Sequence, residues 1–185
     1  MRALLVLAIG AALAWPQQEA IVGKPEHLAA VLTAGPVSPT PLSLDIAINR
    51  WASNEDRVRL ATAYETGGDA GLLAALRKEK AAGYIIAPGR ARLVASYIEQ
   101  ERRPDGGRRI LLLCVRDGGS WEFMRDSGWT DHLFRVVALT VGADNKGAGM
   151  LFHVARVRVT KEAGVDLLSE LTGQPTRLVS VQKTG

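Results

Sequence analysis

A chain of 185 residues, 47% hydrophobic and 23% charged, is long enough to bury a substantial core yet close to the size of one domain. Its formal net charge of +4 is small and mixed along the chain, which argues against a nucleic-acid surface. The only cysteine, Cys114, rules out an internal disulfide, so stability rests on the core.

The opening MRALLVLAIGAALAWPQQ places Arg2 before an apolar run from Ala3 to Leu13 and a small-x-small pattern, Ala12-Leu13-Ala14, before Trp15. This is the build of a secretory signal peptide over residues 1–14, with cleavage expected after Ala14. The run is shorter than the roughly 20 residues a membrane-crossing helix needs. No Leu-x-x-Cys lipobox is present. The mature chain would carry 22 basic and 19 acidic residues, a formal +3, and is expected to be secreted or periplasmic, with no stable membrane span.

Residues 15–41 hold Pro16, Pro25, Pro36, Pro39 and Pro41 and read as an extended, Pro-rich lead-in, with EHLAAVLTA inside it suited to a strand or a helical turn. A single domain is expected over 42–185. In PLSLDIAINRW, Leu44, Ile46 and Ile48 alternate with Ser43, Asp45, Ala47 and Asn49, the period of a half-buried strand. SNEDRVRLATAYETGG then opens on Ser53 with Asp56 three residues on, a capping box, and carries Val58, Leu60, Ala61 and Tyr64 at helical spacing up to Gly67. DAGLLAALRKEKAAG reads as a second helix capped by Asp69, and the two predict one helical hairpin.

From Tyr84 onward the pattern turns to strands. GYIIAPG, RLVASYIEQERR and RRILLLCVR come first, the last two joined by PDGG, where Asp105-Gly106 suits positive backbone angles. HLFRVVALTV, MLFHVARVRVT, GVDLLSELT and TRLVSVQ follow. Turns this short impose antiparallel pairing. The fold class predicted is α+β: a mainly antiparallel curved sheet or small barrel of about eight strands with one N-terminal helical hairpin.

The stretches DIAINRW, LLAALRKEKAAGYI, PDGGRRILL, GADNKGAG, VARVRVT and PTRLVSVQ together resemble a group of predicted secreted proteins from acidobacteria and other soil bacteria that has no assigned function. The resemblance covers most of residues 42–182 and implies the same domain limits and a secreted location. It implies no reaction, because its motifs are turns and strand patterns. Members of the group follow the GGRRI strand with a segment resembling Thr-Asp-Arg-Pro, where this chain has Cys114-Val115-Arg116-Asp117-Gly118.

Candidate chemistry is sparse. Cys114 lies in ILLLCV, where apolar neighbours disfavour the thiolate a nucleophile needs, so it is expected in the core. His27, His132 and His153 are scattered, without metal-ligand spacing. In GADNKGAG, Lys146 precedes Gly147 with no Ser or Thr after it, which fits a hairpin turn and neither a Walker loop nor a calcium loop. Gly119-Ser120-Trp121 lacks the second glycine of a nucleophile elbow. Glu99 and Glu101 share one strand face and are expected to be solvated.

The richest piece is SWEFMRDSGW, where Trp121, Phe123, Met124 and Trp129 concentrate apolar surface in an apparent loop; they are the candidate ligand or partner contacts, with a plug at one end of the sheet core as the plainer reading. The sequence therefore predicts an exported, non-enzymatic module that binds a partner protein or envelope component through this loop or an open sheet edge. The alternative is a carrier or sensor of a small hydrophobic ligand held in the curved sheet. No catalytic residue, metal or cofactor is assigned.

Overall fold

The computed structural model describes residues 21–34, 38–90, 92–115, 133–168 and 175–184. The elements run β1 (Glu26–Leu32), β2 (Leu42–Ile48), α1 (Asn54–Leu76), β3 (Gly83–Ile86), β4 (Leu93–Arg102), β5 (Arg108–Val115), β6 (Phe134–Val141), β7 (Lys146–Ala155), β8 (Val157–Thr160), β9 (Gly164–Leu167) and β10 (Thr176–Lys183). Eight strands in the order β1-β10-β7-β6-β5-β4-β3-β2 close into an antiparallel barrel through the β1–β2 pair, while β8 and β9 form a separate two-stranded sheet. The expected α+β class with a small antiparallel barrel is therefore present.

Strand membership differs from expectation. β1 lies in the stretch read as a lead-in, so the barrel takes in residues from Glu26 onward. The prolines of that stretch all flank Glu26–Leu32, leaving each amide within it able to pair. MLFHVARVRVT splits at Arg156 into β7, which stays in the barrel, and β8, which leaves it.

Of the expected helical hairpin, the described residues show one helical span, Asn54–Leu76, in which two helices meet across a kink at Gly68 (φ 55°, ψ −144°). Ser53 caps it with the expected box, its hydroxyl accepting from the Asp56 amide at 3.2 Å and the Asp56 carboxylate accepting from the Ser53 amide at 2.9 Å. The bend is sharp. Arg59 donates to Glu79 Oε1 at 2.7 Å, although twenty residues of straight helix would separate them by about 30 Å.

Two cores result. Inside the barrel, Leu28, Leu44, Ile46, Ile98, Ile110, Leu112, Cys114, Val137, Leu139 and Leu178 belong to one buried cluster, as expected of eight strands whose interior just accommodates its own side chains. Outside it, α1 and the β8–β9 sheet cover one face of β4–β6, burying Leu60, Leu72 and Leu76 with Tyr97, Leu111, Leu113, Phe134, Val157 and Val165. β5 is thus buried on both faces, which explains its unbroken apolar run. Register shifts in four strand pairs mark bulges that help the sheet curve.

Candidate functional site

The aromatic residues Trp121, Phe123, Met124 and Trp129 lie outside the described residues, as does the signal segment. What is fixed is the frame around the aromatic stretch: Val115 pairs with Phe134, at the barrel end opposite the β4–β5 and β6–β7 turns.

Those two turns share one construction. In the first, the Gly106 amide donates to the Arg103 carbonyl at 3.1 Å and the Arg103 amide to the Gly107 carbonyl at 2.9 Å. In the second, Asn145 and Gly142 make the equivalent bonds, at 3.0 Å to the Gly142 carbonyl and 2.8 Å to the Lys146 carbonyl. Gly106 (φ 79°) and Asn145 (φ 61°) supply the left-handed residue. Only Gly106, and not Asp105, takes a positive φ, so the loop is a three-residue turn and not the two-residue mirror-image turn that the Asp-Gly pair suggested. The central aspartates steady both loops, Asp105 Oδ1 accepting from the Gly107 amide at 3.0 Å and Asp144 Oδ1 from the Lys146 amide at 3.1 Å.

Beneath the turns, the inward-facing positions change from apolar to polar. Arg108 precedes Ile110, Leu112 and Cys114 on β5, and Glu26 precedes Leu28, Ala30 and Leu32 on β1, so period-two alternation aims both into the barrel mouth. Arg108 grips Glu26, which is only 4% exposed, with two bonds of 2.6 and 3.0 Å. Lys183 Nζ approaches the same carboxylate at 3.2 Å. Arg108 also donates to Gln100 Oε1 at 3.1 Å and stands 5.9 Å from the Trp51 ring centroid. The next residue, Arg109, faces outward and is exposed, whereas Arg108 is half-buried.

A strap of residues 21–24 lies over this layer. Trp51 Nε1 donates to the Lys24 carbonyl at 2.9 Å and Gln100 Nε2 to the Ile21 carbonyl at 3.2 Å. Gly23 allows the close approach, since a β-carbon there would lie 2.8 Å from both donor nitrogens.

Above the polar layer opens a cleft of about 420 Å³, lined by Ile21, Gln100, Arg102, Arg103, Arg108 and the backbone of both turns. Its lining contains three arginines and no carboxylate. Arg103 is held by Asp105 at 2.9 Å, and that contact keeps the Asp105 carboxyl below its usual range. A second cleft of about 240 Å³ shares Ile21, Gln100 and Arg102, and adds Arg57, Glu99, Glu101 and Glu162.

Glu99 corrects another expectation. Its side chain is 12% exposed, because the bulge between Ala95 and Tyr97 shifts the phase of β4 and turns Tyr97 and Glu99 beneath the β8–β9 sheet. The Tyr97 hydroxyl donates to Glu99 Oε2 at 2.7 Å, the Val165 amide donates to Oε1 at 3.0 Å, and Arg57 Nη2 lies 3.8 Å away. Burial raises the Glu99 carboxyl above its ordinary value despite these partners. Burial, with the Glu99 charge next, also raises the Tyr97 phenol. Gly164 (φ 71°) lies against the carboxylate, where a β-carbon would collide with Oε2. With both oxygens engaged, Glu99 anchors the β8–β9 sheet to the barrel, whereas Glu101 is exposed as expected.

Among the described residues no three His, Cys, Asp or Glu side chains gather as a metal-holding group. His27 faces Asp45 at 3.6 Å and His153 bonds Thr176 Oγ1 at 3.0 Å, so the structure does not bring these two histidines to one centre. Cys114 is buried in the barrel interior.

The mouth residues Glu26, Gln100, Arg108 and Lys183 were not singled out from sequence. The available signal was a charged residue in phase with an inward apolar face. Comparison with known proteins returned no matching family model, no matching curated protein and no matching solved structure.

Proposed function

We propose that the protein is an exported, non-enzymatic binding module of the bacterial envelope that recognises a protein or envelope component from the ends of its barrel. The observation that carries this reading is the packing of the barrel interior by its own side chains, twenty-two of them in one buried cluster. A closed barrel has no unpaired edge for strand addition, which leaves the arginine-lined mouth and the aromatic residues that the sequence carries between β5 and β6. Outward positions such as His27, Asp45, Glu101, Arg109 and Arg177 are exposed, a polarity opposite to the apolar outer band of a lipid-facing barrel. The same packing counts against carriage of a hydrophobic ligand inside the sheet.

Native mass spectrometry of the protein purified from its own periplasm or medium tests both parts. The expected result is a chain lacking residues 1–14 with no bound small molecule. A reproducible hydrophobic adduct would overturn the module reading in favour of the carrier.

A further inference from the structure

The geometry points to the barrel mouth as a binding site for an oxyanion head group, phosphate or carboxylate, with Arg102 as its principal ligand. The inference rests on the reading of the protein as a binding module and names the chemical class that one of its ends accepts.

Four cations, Arg102, Arg103, Arg108 and Lys183, meet three carboxylates there, Glu26, Asp105 and Asp144, so the mouth keeps one positive charge in surplus. Three of the cations are engaged and therefore fixed in place. Arg102 is different: exposed at the end of β4, it lines both clefts and makes no hydrogen bond or ion pair among the described residues. Its planar guanidinium keeps a full set of donors, in the fork geometry that matches carboxylate or phosphate oxygens.

The concave site favours a small anion over an extended polyanion. Arg108, tied to Glu26, and Gln100, held by Arg108 and the Ile21 carbonyl, form a floor that needs no rearrangement on binding. Ile21 offers apolar contact to the carbon part of a ligand, and the glycine backbone at 106 and 107 lets it approach closely.

The test is a titration of the ¹⁵N-labelled mature chain with inorganic phosphate and separately with malonate, read by amide shifts. Saturable shifts centred on Gly106, Gly107 and Asn145 are expected, with Kd no weaker than about 10 mM. Arg102→Ala is expected to weaken binding by about tenfold or more, the loss of one charge-assisted contact, with the urea midpoint unchanged. Arg109→Ala, which removes an equal charge from the outer face, is expected to leave Kd within about twofold.

Vesicles containing phosphatidylglycerol distinguish the sources of the oxyanion. A response to free phosphate or malonate places it on a soluble ligand; co-sedimentation abolished by Arg102→Ala, without a response to either free anion, places it on a lipid head group. Both support the site. No response to any probe, or equal losses in the two variants, overturns it. That failure would leave the module reading to the aromatic end, whereas a hydrophobic adduct in native mass spectra would end the module reading whatever the anion titration shows.

Discussion

Cys114 is separated from chemistry by its position in an alternation. Ile110, Leu112 and Cys114 face the barrel interior and Leu111 and Leu113 face the outer core, all at or below 3% exposure. A thiol in this setting is disfavoured as thiolate and meets solvent only when the barrel opens. Labelling of the native protein with a thiol reagent is therefore expected to run at least about a thousandfold slower than in denaturant, as local opening of a core strand requires. Rapid native labelling would contradict this burial. The cysteine was legible from sequence because β5 is regular, whereas the mouth at the far end of the same strand was not, since pairing Arg108 with Glu26 required β1 to be recognised as a strand.

At the level of elements, regular alternation was readable and its interruptions were not. β2, β5, β6 and β10 follow the apolar patterns that announced them, but the bulge in β4 reverses its phase after Ala95 and turns Glu99 out of the barrel interior, where the β8–β9 sheet covers a glutamate expected in solvent. The stretch TGGD likewise signals a helix stop without saying how the flanking arms lie. Gly68 decides that. Its angles, φ 55° and ψ −144°, belong to a region open almost only to glycine, and after the bend Gly71 packs against the Ala63 carbonyl so closely that a β-carbon there would collide with it. Gly68→Ala is expected to lower unfolding free energy by about 1–3 kcal/mol. Gly67→Ala, with a permitted φ and nothing within 4 Å, is expected to change it little or raise it slightly, through a less flexible unfolded chain. Urea midpoints for the two variants provide the check, and equal effects would show that the bend does not depend on Gly68.

The whole molecule combines two cores whose acidic anchors titrate in opposite senses. Asp56 ties the start of α1 to its surroundings: burial opposes its ionisation, but the Ser53 amide, Arg59 and Arg50 outweigh that and hold the carboxyl below its ordinary 3.8. A depressed pKa contributes stability that is present above 3.8 and lost as pH falls through the lowered value. Glu99, under the β8–β9 sheet, is raised above its ordinary 4.5 by burial; its contribution is present below 4.5 and lost as pH rises through the raised value. Stability is therefore expected to fall on the neutral side as pH rises above 4.5 through the raised Glu99 value, and on the acid side as pH falls below 3.8 through Asp56 and the exposed Asp105. Glu99→Gln, neutral at every pH, is expected to flatten the neutral side of that profile. Asp56→Asn is expected to soften the acid side and to cost about 1 kcal/mol at neutral pH through the weakened cap. Urea unfolding of the three proteins across this range reads both effects at once. A Glu99→Gln profile that still falls toward neutrality would mean that the β8–β9 anchor does not set the pH response, and that another carboxyl of the two-core assembly titrates in its place.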